Sequence, residues 1–302
     1  MDSTRVIINC LKLISHANDP RHYQSGQTLG ASRLLKRILR KALRCLGISR
    51  PREYRDLVTY YFHLARHAKS SRFFLLSLLN IRVPVPVKIC GVRVIVRAAT
   101  PDLQVALSCL GGEFDQLCAA IPTLHHRLVI DAGGYIGTAA IAFARRYPNA
   151  TVVTLEPNAA NYKVLLKNTA SWPSIVAKKA ALTPESGSAI LHDRGTGDWG
   201  FTLIEKAADR PTSPIERVPC ITVDQLLKEI GVDGIDIFKI DIEGGEHALL
   251  SGNNDWIGKT TGICIELHDR IRPGCSEVWR AAMVGRTNFA LHGEKHLSLS
   301  VT

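Results

Sequence analysis

Hydrophobic and polar positions change rhythm along this chain. From residue 128 onward, short runs rich in Val, Ile and Leu recur at 128–130, 150–155, 175–182, 235–240 and 262–267. Nearly continuous apolar runs of this length predict strands covered on both faces, as in a parallel sheet. Between them apolar residues fall at helical spacing over 137–146, 158–168 and 223–230, and another helix starts over 246–250. Strand alternating with helix predicts an α/β fold, Rossmann-like, with a mostly parallel, doubly wound sheet. The segment 184–217 interrupts this order. Polar and glycine-bearing, with GTGDWGF at 195–201, it reads as a hairpin or a loop over the sheet.

Upstream the pattern differs. In VPVPVKICGVRVIVR (83–97), Val and Ile alternate with other residues around Cys90-Gly91, which predicts a β-hairpin. Residues 101–124 read as one helical segment. Residues 1–80 read as helical, with breaks at Asn18-Asp19-Pro20 and over 47–51. Two parts follow: a helical extension, 1–80, and a larger α/β domain, 81–302.

Charge sharpens this division. The net charge is +11, yet residues 1–127 hold 20 Lys and Arg against 7 Asp and Glu, while the rest hold 18 against 20. The basicity concentrates in ASRLLKRILRKALRCLGISRPR (31–52), where Leu35, Leu39, Ala42 and Leu46 share a helix face and Arg33, Lys36, Arg37, Arg40, Lys41 and Arg44 fill most other positions. Such a helix suits an anionic membrane surface, nucleic acid, or a solvated face on a packed helix. The longest apolar stretch, 73–81, is about half of the roughly 20 residues a membrane-spanning helix needs. No cleavable leader follows the short apolar run 6–8. Eight cysteines without CxxC pairs suit reduced thiols and argue against zinc. The expectation is a cytoplasmic protein, with peripheral membrane contact as one of the three readings of the basic helix.

The candidate chemistry begins at LVIDAGGYIGTAA (128–140), where an apolar strand ends on Asp131 and turns through Gly133, Gly134 and Gly137 into a helix. The dinucleotide pattern GxGxxG fails at Ala132, whereas DxGxxxG is satisfied by Asp131, Gly133 and Gly137. Glu156 ends the next strand 19 residues after Gly137, close to the spacing at which an acid reaches ribose hydroxyls. Lys239, Asp241 and Glu243 crowd the end of the fourth core strand, and charge on a buried strand is tolerated where the strand emerges into a site.

VIDAGGYIGTAA, TLEPN (154–158), ITVDQLL (221–227), FKIDIEGGEHALLSG (238–252) and CIELH (264–268) resemble, in order and spacing, the FkbM family of S-adenosylmethionine-dependent methyltransferases. The resemblance covers about 83–268, with TPDLQV (100–105) and GGEFD (111–115) similar to the family's pre-core segment. It implies the class I methyltransferase fold and O-methyl transfer to a small-molecule or glycan acceptor: a saccharide, glycolipid or secondary metabolite. By the same resemblance Asp131, Gly133 and Gly137 hold the methionine part of S-adenosylmethionine, the glycines making room for it, and Gly134 also belongs to the cofactor site. Glu156 would hold the ribose, and Ala181 and Leu182 would border the adenine. Tyr135 departs from the small polar residue usual there, and its ring would cover the cofactor or narrow the pocket.

Asp241, Glu243, Glu266 and His268 are the candidate bases for a hydroxyl acceptor, His268 being the natural one at neutral pH. Glu266 and Asp241 also suit a divalent cation. His63 and His67, four residues apart, lack the HExxH glutamate and read as helix-surface residues. No NPPY-like motif for base amines is present, which disfavours nucleic acid. An NAD oxidoreductase, and a non-catalytic lipid-binding or partner-binding protein on a degenerate methyltransferase fold, are the alternatives.

Overall fold

The structure, a computed structural model, describes residues 51–291 and 293–301. Nearly all of the basic helix expected over 31–52, and the break at 18–20, lie outside the described residues. The chain divides into two compact units, Met1–Tyr60 and Tyr61–Thr302. Helix α1 (Pro51–His67) runs across the division, and everything below concerns the second unit.

Helix α2 (Ser71–Leu78) starts on the side chain of Ser70, which accepts the Phe73 N–H, and it buries Phe73, Phe74 and Leu78. The hairpin is formed by β1 (Pro84–Ile89) and β2 (Val92–Arg97), with alternate residues buried. Its turn holds Cys90 at φ 47° and Gly91 at φ 86°, the left-handed pair that a two-residue hairpin turn requires. Pro84 and Pro86 sit on the exposed positions of a strand paired on one side only, where a missing N–H does no harm.

Two helices, α3 (Asp102–Leu110) and α4 (Asp115–Ala120), replace the single helix expected over 101–124. The break falls at Gly111-Gly112, where Gly112 takes φ 115°. Then come β3 (Leu128–Ala132), α5 (Thr138–Arg146), β4 (Thr151–Leu155), α6 (Ala159–Thr169) and β5 (Ile175–Lys178). The run 175–182 is not one strand. It breaks after Lys178, and β6 (Ala181–Leu182) leaves the main sheet to join β7 (Gly187–Asp193) and β8 (Ser213–Ile221) in a three-stranded sheet ordered β6-β8-β7. The segment 184–217 is therefore an antiparallel pair with a long connection.

Helix α7 (Val223–Ile230) is bounded by local chemistry: Thr222 and Gln225 form a capping box, and Gly231 ends it at φ 79°. Next come β9 (Ile235–Ile240), α8 (Glu246–Ser251), α9 (Asp255–Gly258), β10 (Thr260–Glu266), α10 (Cys275–Ala282), β11 (Thr287–Ala290) and β12 (Lys295–Leu299). The main sheet is ordered β11-β12-β10-β9-β3-β4-β5. Its five strands from β10 to β5 are parallel, and β12 is antiparallel to β10.

Strands β3 and β9 are buried at every residue, as their continuous apolar runs predict. Alternation sends Leu128, Ile130, Phe238 and Ile240 to one face, with Leu226, Trp256 and Trp279. Val129, Val152 and Ile237 go to the other, with Phe114 and Phe143. Asp236, buried on β9, belongs to the scaffold, because its carboxylate accepts the N–H groups of His125, His126 and Leu128. The chain runs from β3 outward to β5, then returns to build β9 and β10 on the other side of β3. The order reverses between β3 and β9, and a crevice opens outside the strand ends at such a switch point.

Candidate active site

Around the ends of β4, β3, β9 and β10 lies one cavity of about 520 Å³, within the range of small-molecule sites. Glu156 directly follows β4, the glycine loop follows β3, Lys239 and Asp241 lie at the end of β9, and Glu266 ends β10. Neighbouring strands stand about 4.8 Å apart, so Glu156 and Glu266 are roughly 14 Å apart across the crevice.

The loop is latched to β4 by its own backbone. The N–H groups of Gly133 and Gly134 donate to the Leu155 carbonyl at 3.1 and 2.7 Å, and the Tyr135 N–H donates to Glu156 Oε2 at 2.8 Å. The glycines make room for neighbouring protein. A Cβ on Gly133 would stand 1.8 Å from the Asp241 carbonyl oxygen, one on Gly134 2.2 Å from Thr154 Oγ1, and one on Gly137 3.0 Å from Thr169 Cγ2. Gly133 (φ 86°) and Gly137 (φ 84°) also adopt left-handed backbone that other residues avoid. Gly133 and Gly134 line the cavity with backbone, while Gly137 caps α5 behind it.

Asp131 is fully buried and does not line the cavity. Its carboxylate accepts the Thr154 hydroxyl at 2.9 Å and pairs with Lys239 Nζ at 3.1 Å. Burial pushes its carboxyl above the ordinary range against the pull of Lys239 and Thr154. Lys239 in turn donates to the Gly133 carbonyl at 2.7 Å and lies 3.6 Å from Asp241, so Asp131 acts on the loop through this ammonium. Glu156, 5% exposed, lines the cavity and also accepts the Asn158 N–H at 2.9 Å. Burial pushes its carboxyl up to about 7. Ala181 and Leu182 are buried on the cavity wall beyond it.

Tyr135 stands in left-handed backbone at φ 49°. Its ring is buried at the cavity wall and its hydroxyl donates to Asp102 Oδ1. Asp102, at the start of α3, also accepts the Arg97 backbone N–H and two guanidinium N–H groups, each at 2.8 Å, and the Arg97 guanidinium lies 5.5 Å from the Tyr135 ring centre. Arg97 pairs further with Asp198 at 3.3 Å, in the connection between β7 and β8. Tyr135 thus ties the glycine loop to the pre-core segment. The same connection lines the cavity with Thr196, Trp199 and Phe201.

On the other side of the loop the acids converge. His268 is buried; its Nδ1 lies 2.9 Å from Glu246 Oε1, and Nε2 lies 3.9 Å from Asp241, 3.8 Å from Glu243 and 3.8 Å from Glu266. Burial disfavours a charged ring, but the bond to Glu246 and the charges of Glu246, Glu243 and Asp241 outweigh it and raise His268 to about 10. Protonated at neutral pH and absent from the cavity wall, His268 is poorly placed to take a hydroxyl proton in this arrangement. Burial pushes Glu243 up to about 7 even though Arg194 bonds it at 2.8 Å. Burial acts likewise on Glu266, while Lys239 and His268 overcome it at Asp241 and hold that carboxyl below the ordinary range. Asp241, Glu243 and Glu266 all line the cavity.

Sequence reasoning missed Asp102, Arg194 and Glu246, and the ion pair of Glu113 with Lys295 on the cavity wall. Glu246 had a legible signal, lying three residues after Glu243 in EGGEH. Arg194 and Lys295 had none, because folding alone carries them to the cavity from β7 and β12. His63 and His67 are exposed on α1 with ring centres 4.9 Å apart.

Comparison with known proteins agrees with the motifs. The family model described as the methyltransferase FkbM domain matches residues 131–283. Methyltransferase 1 of Beauveria bassiana (strain ARSEF 2860) is 25% identical over 145 residues, 42% of this chain and 58% of that protein. Methyltransferase sdnD of Sordaria araneosa is 24% identical over 153 residues, 41% of this chain and 59% of that protein. The chain thus matches less than two thirds of these curated relatives' length. Among solved structures, the O-methyltransferase from Bacillus cereus in complex with SAH is 15% identical with a TM-score of 0.36, covering 65% of this chain and 91% of that one.

Proposed function

The chain belongs to the FkbM methyltransferase family, and on that premise we propose that it transfers the methyl group of S-adenosylmethionine to the oxygen of an acceptor hydroxyl. The observation that carries this reading is one cavity with Glu156 on one side of the glycine loop and Asp241, Glu243 and Glu266 on the other. A ribose diol needs an acceptor such as Glu156, and a hydroxyl that is to be methylated needs a group to take its proton.

The residues fit the cofactor. Glu156 keeps lone pairs for ribose hydroxyls, Ala181 and Leu182 offer an apolar wall to the adenine, and the backbone of Gly133 and Gly134 borders the cavity between Glu156 and the acid cluster. When bound, S-adenosylmethionine supplies an electrophilic methyl carbon on sulfonium. The chain's part is to align an oxygen with that carbon and to remove a proton, and alignment is a large part of such catalysis. Glu266 is the base we assign: it lines the cavity, burial raises its affinity for a proton, and its side chain is 26% exposed. Glu243 is bonded by Arg194 at 2.8 Å and Asp241 pairs with Lys239 at 3.6 Å, whereas Lys295, 3.9 Å from Glu266, is itself held by Glu113.

The acceptor class we propose is a hydroxyl of a saccharide, glycolipid or secondary metabolite. A membrane-borne acceptor accords with the basic helix expected over 31–52, while no described helix is long and apolar enough to cross a membrane. Labelled methyl transfer from S-adenosylmethionine to fractionated host extract tests the reading. An alkali-stable ether product, reduced at least about tenfold by Glu266→Gln, is expected; label on nitrogen or carbon alone would refute O-methyl transfer.

A further inference from the structure

We propose that His268, Asp241 and Glu243 bind a divalent cation at the acceptor side of the cavity, an inference that rests on the methyl-transfer reading. The orphaned atom is His268 Nε2. It is buried, finds no hydrogen-bond partner among the described residues, and points among three carboxylates. Distances of 3.8 and 3.9 Å are too long for hydrogen bonds to any of them. They match a shared ion instead: two atoms each about 2.1 Å from one metal stand roughly 3 to 4 Å apart. The imidazole nitrogen and a carboxylate oxygen from each of Asp241 and Glu243 lie within 4.8 Å of one another.

The surroundings are built for such a ligand. Glu246 holds Nδ1 at 2.9 Å and is itself fixed by the N–H groups of Ile242 and Gly244 at 3.0 and 2.9 Å. A carboxylate behind a histidine is the arrangement that orients and strengthens a metal-binding imidazole. The nearby Lys and Arg side chains are each shared with another acid: Arg194 with Asp209 at 2.7 Å, Lys239 with Asp131 at 3.1 Å, and Lys295 with Glu113. One imidazole and two carboxylates suit Mn²⁺ or Fe²⁺, and Asp241 and Glu243 carry the site to the cavity wall. The ion displaces the ring proton to solvent and, once bound, lowers the pKa of an acceptor hydroxyl beside Glu266.

The test titrates the full chain, stripped with chelator, with Mn²⁺ and reads the free ion by electron paramagnetic resonance. S-adenosylhomocysteine binding is measured in parallel without metal. One Mn²⁺ per chain is expected, with affinity at least about tenfold weaker in Asp241→Asn and in Glu243→Gln. Both variants are checked for folding by circular dichroism, since His268→Gln alone would alter the interior. No Mn²⁺ binding by the wild-type chain, or unchanged binding in both folded variants, overturns the cation site. Loss of S-adenosylhomocysteine binding with Mn²⁺ binding intact would instead overturn the methyltransferase reading.

Discussion

Glu156 shows how one residue links scaffold and ligand. Its carboxylate closes the glycine loop through the Tyr135 N–H and faces the cavity. Its carboxyl ordinarily ionises near 4.5 and in the fold near 7, so between those values the folded chain holds the proton more tightly than the unfolded one. By linkage this residue's contribution to stability falls as pH rises from about 4.5 to about 7, then levels. Cofactor binding runs the other way, because ribose hydroxyls donate to the ionised form. Calorimetric affinity for S-adenosylhomocysteine should strengthen between pH 6 and 8, and Glu156→Gln should flatten that rise and weaken binding about ten- to a hundredfold at pH 8. Tyr135→Phe removes one of the donors to buried Asp102, and denaturant unfolding should show a loss of about 1–3 kcal/mol. At this scale the positions of Glu156 and Asp241 on the cavity wall were legible because each acid ends an apolar run, whereas Asp131, read as a cofactor contact, reaches the loop only through Lys239. The tether of Tyr135 to Asp102 was not, because it joins residues 33 apart in sequence that only the fold brings together.

Among the elements, the loop between β3 and α5 carries the site, and its glycines serve packing first. Gly133→Ala would press a Cβ against the Asp241 carbonyl at a backbone angle that alanine avoids. The loop must then shift, and S-adenosylhomocysteine binding measured by calorimetry should drop at least about a hundredfold; unchanged affinity would show that the loop yields freely. The buried parallel strands were readable from their continuous apolar runs, and α7 from its apolar residues at helical spacing. The break at Gly111-Gly112 was hidden because apolar spacing continues across it. The departure of β6 from the main sheet was hidden because strand patterning does not say which neighbour a strand will choose. The antiparallel strands β11 and β12 carry too few apolar residues to stand out, yet β12 delivers Lys295 to the cavity.

For the molecule as a whole, all residues lining the cavity lie between Gln104 and Lys295. Removing residues 1–50 should leave S-adenosylhomocysteine affinity unchanged. Removing 1–80 also strips α2, whose Phe73 is fully buried and whose Ser77 hydroxyl accepts the Ala99 N–H. That truncation should lower unfolding free energy by at least about 3 kcal/mol, which places the working boundary of the α/β unit before α2. The boundary near 80 followed from the change to strand patterning at the hairpin, whereas Phe73 and Phe74 in a short helix give no sign of which side they pack on. The central claim is that the cavity at the switch point receives S-adenosylmethionine. It is tested most directly by isothermal titration of the full-length chain with S-adenosylhomocysteine at pH 8, with NADH as the control ligand. The account predicts one site per chain at about micromolar affinity for S-adenosylhomocysteine and none for NADH, with binding lost in Gly133→Ala. A folded wild-type chain that binds NADH, or binds neither ligand, would contradict it.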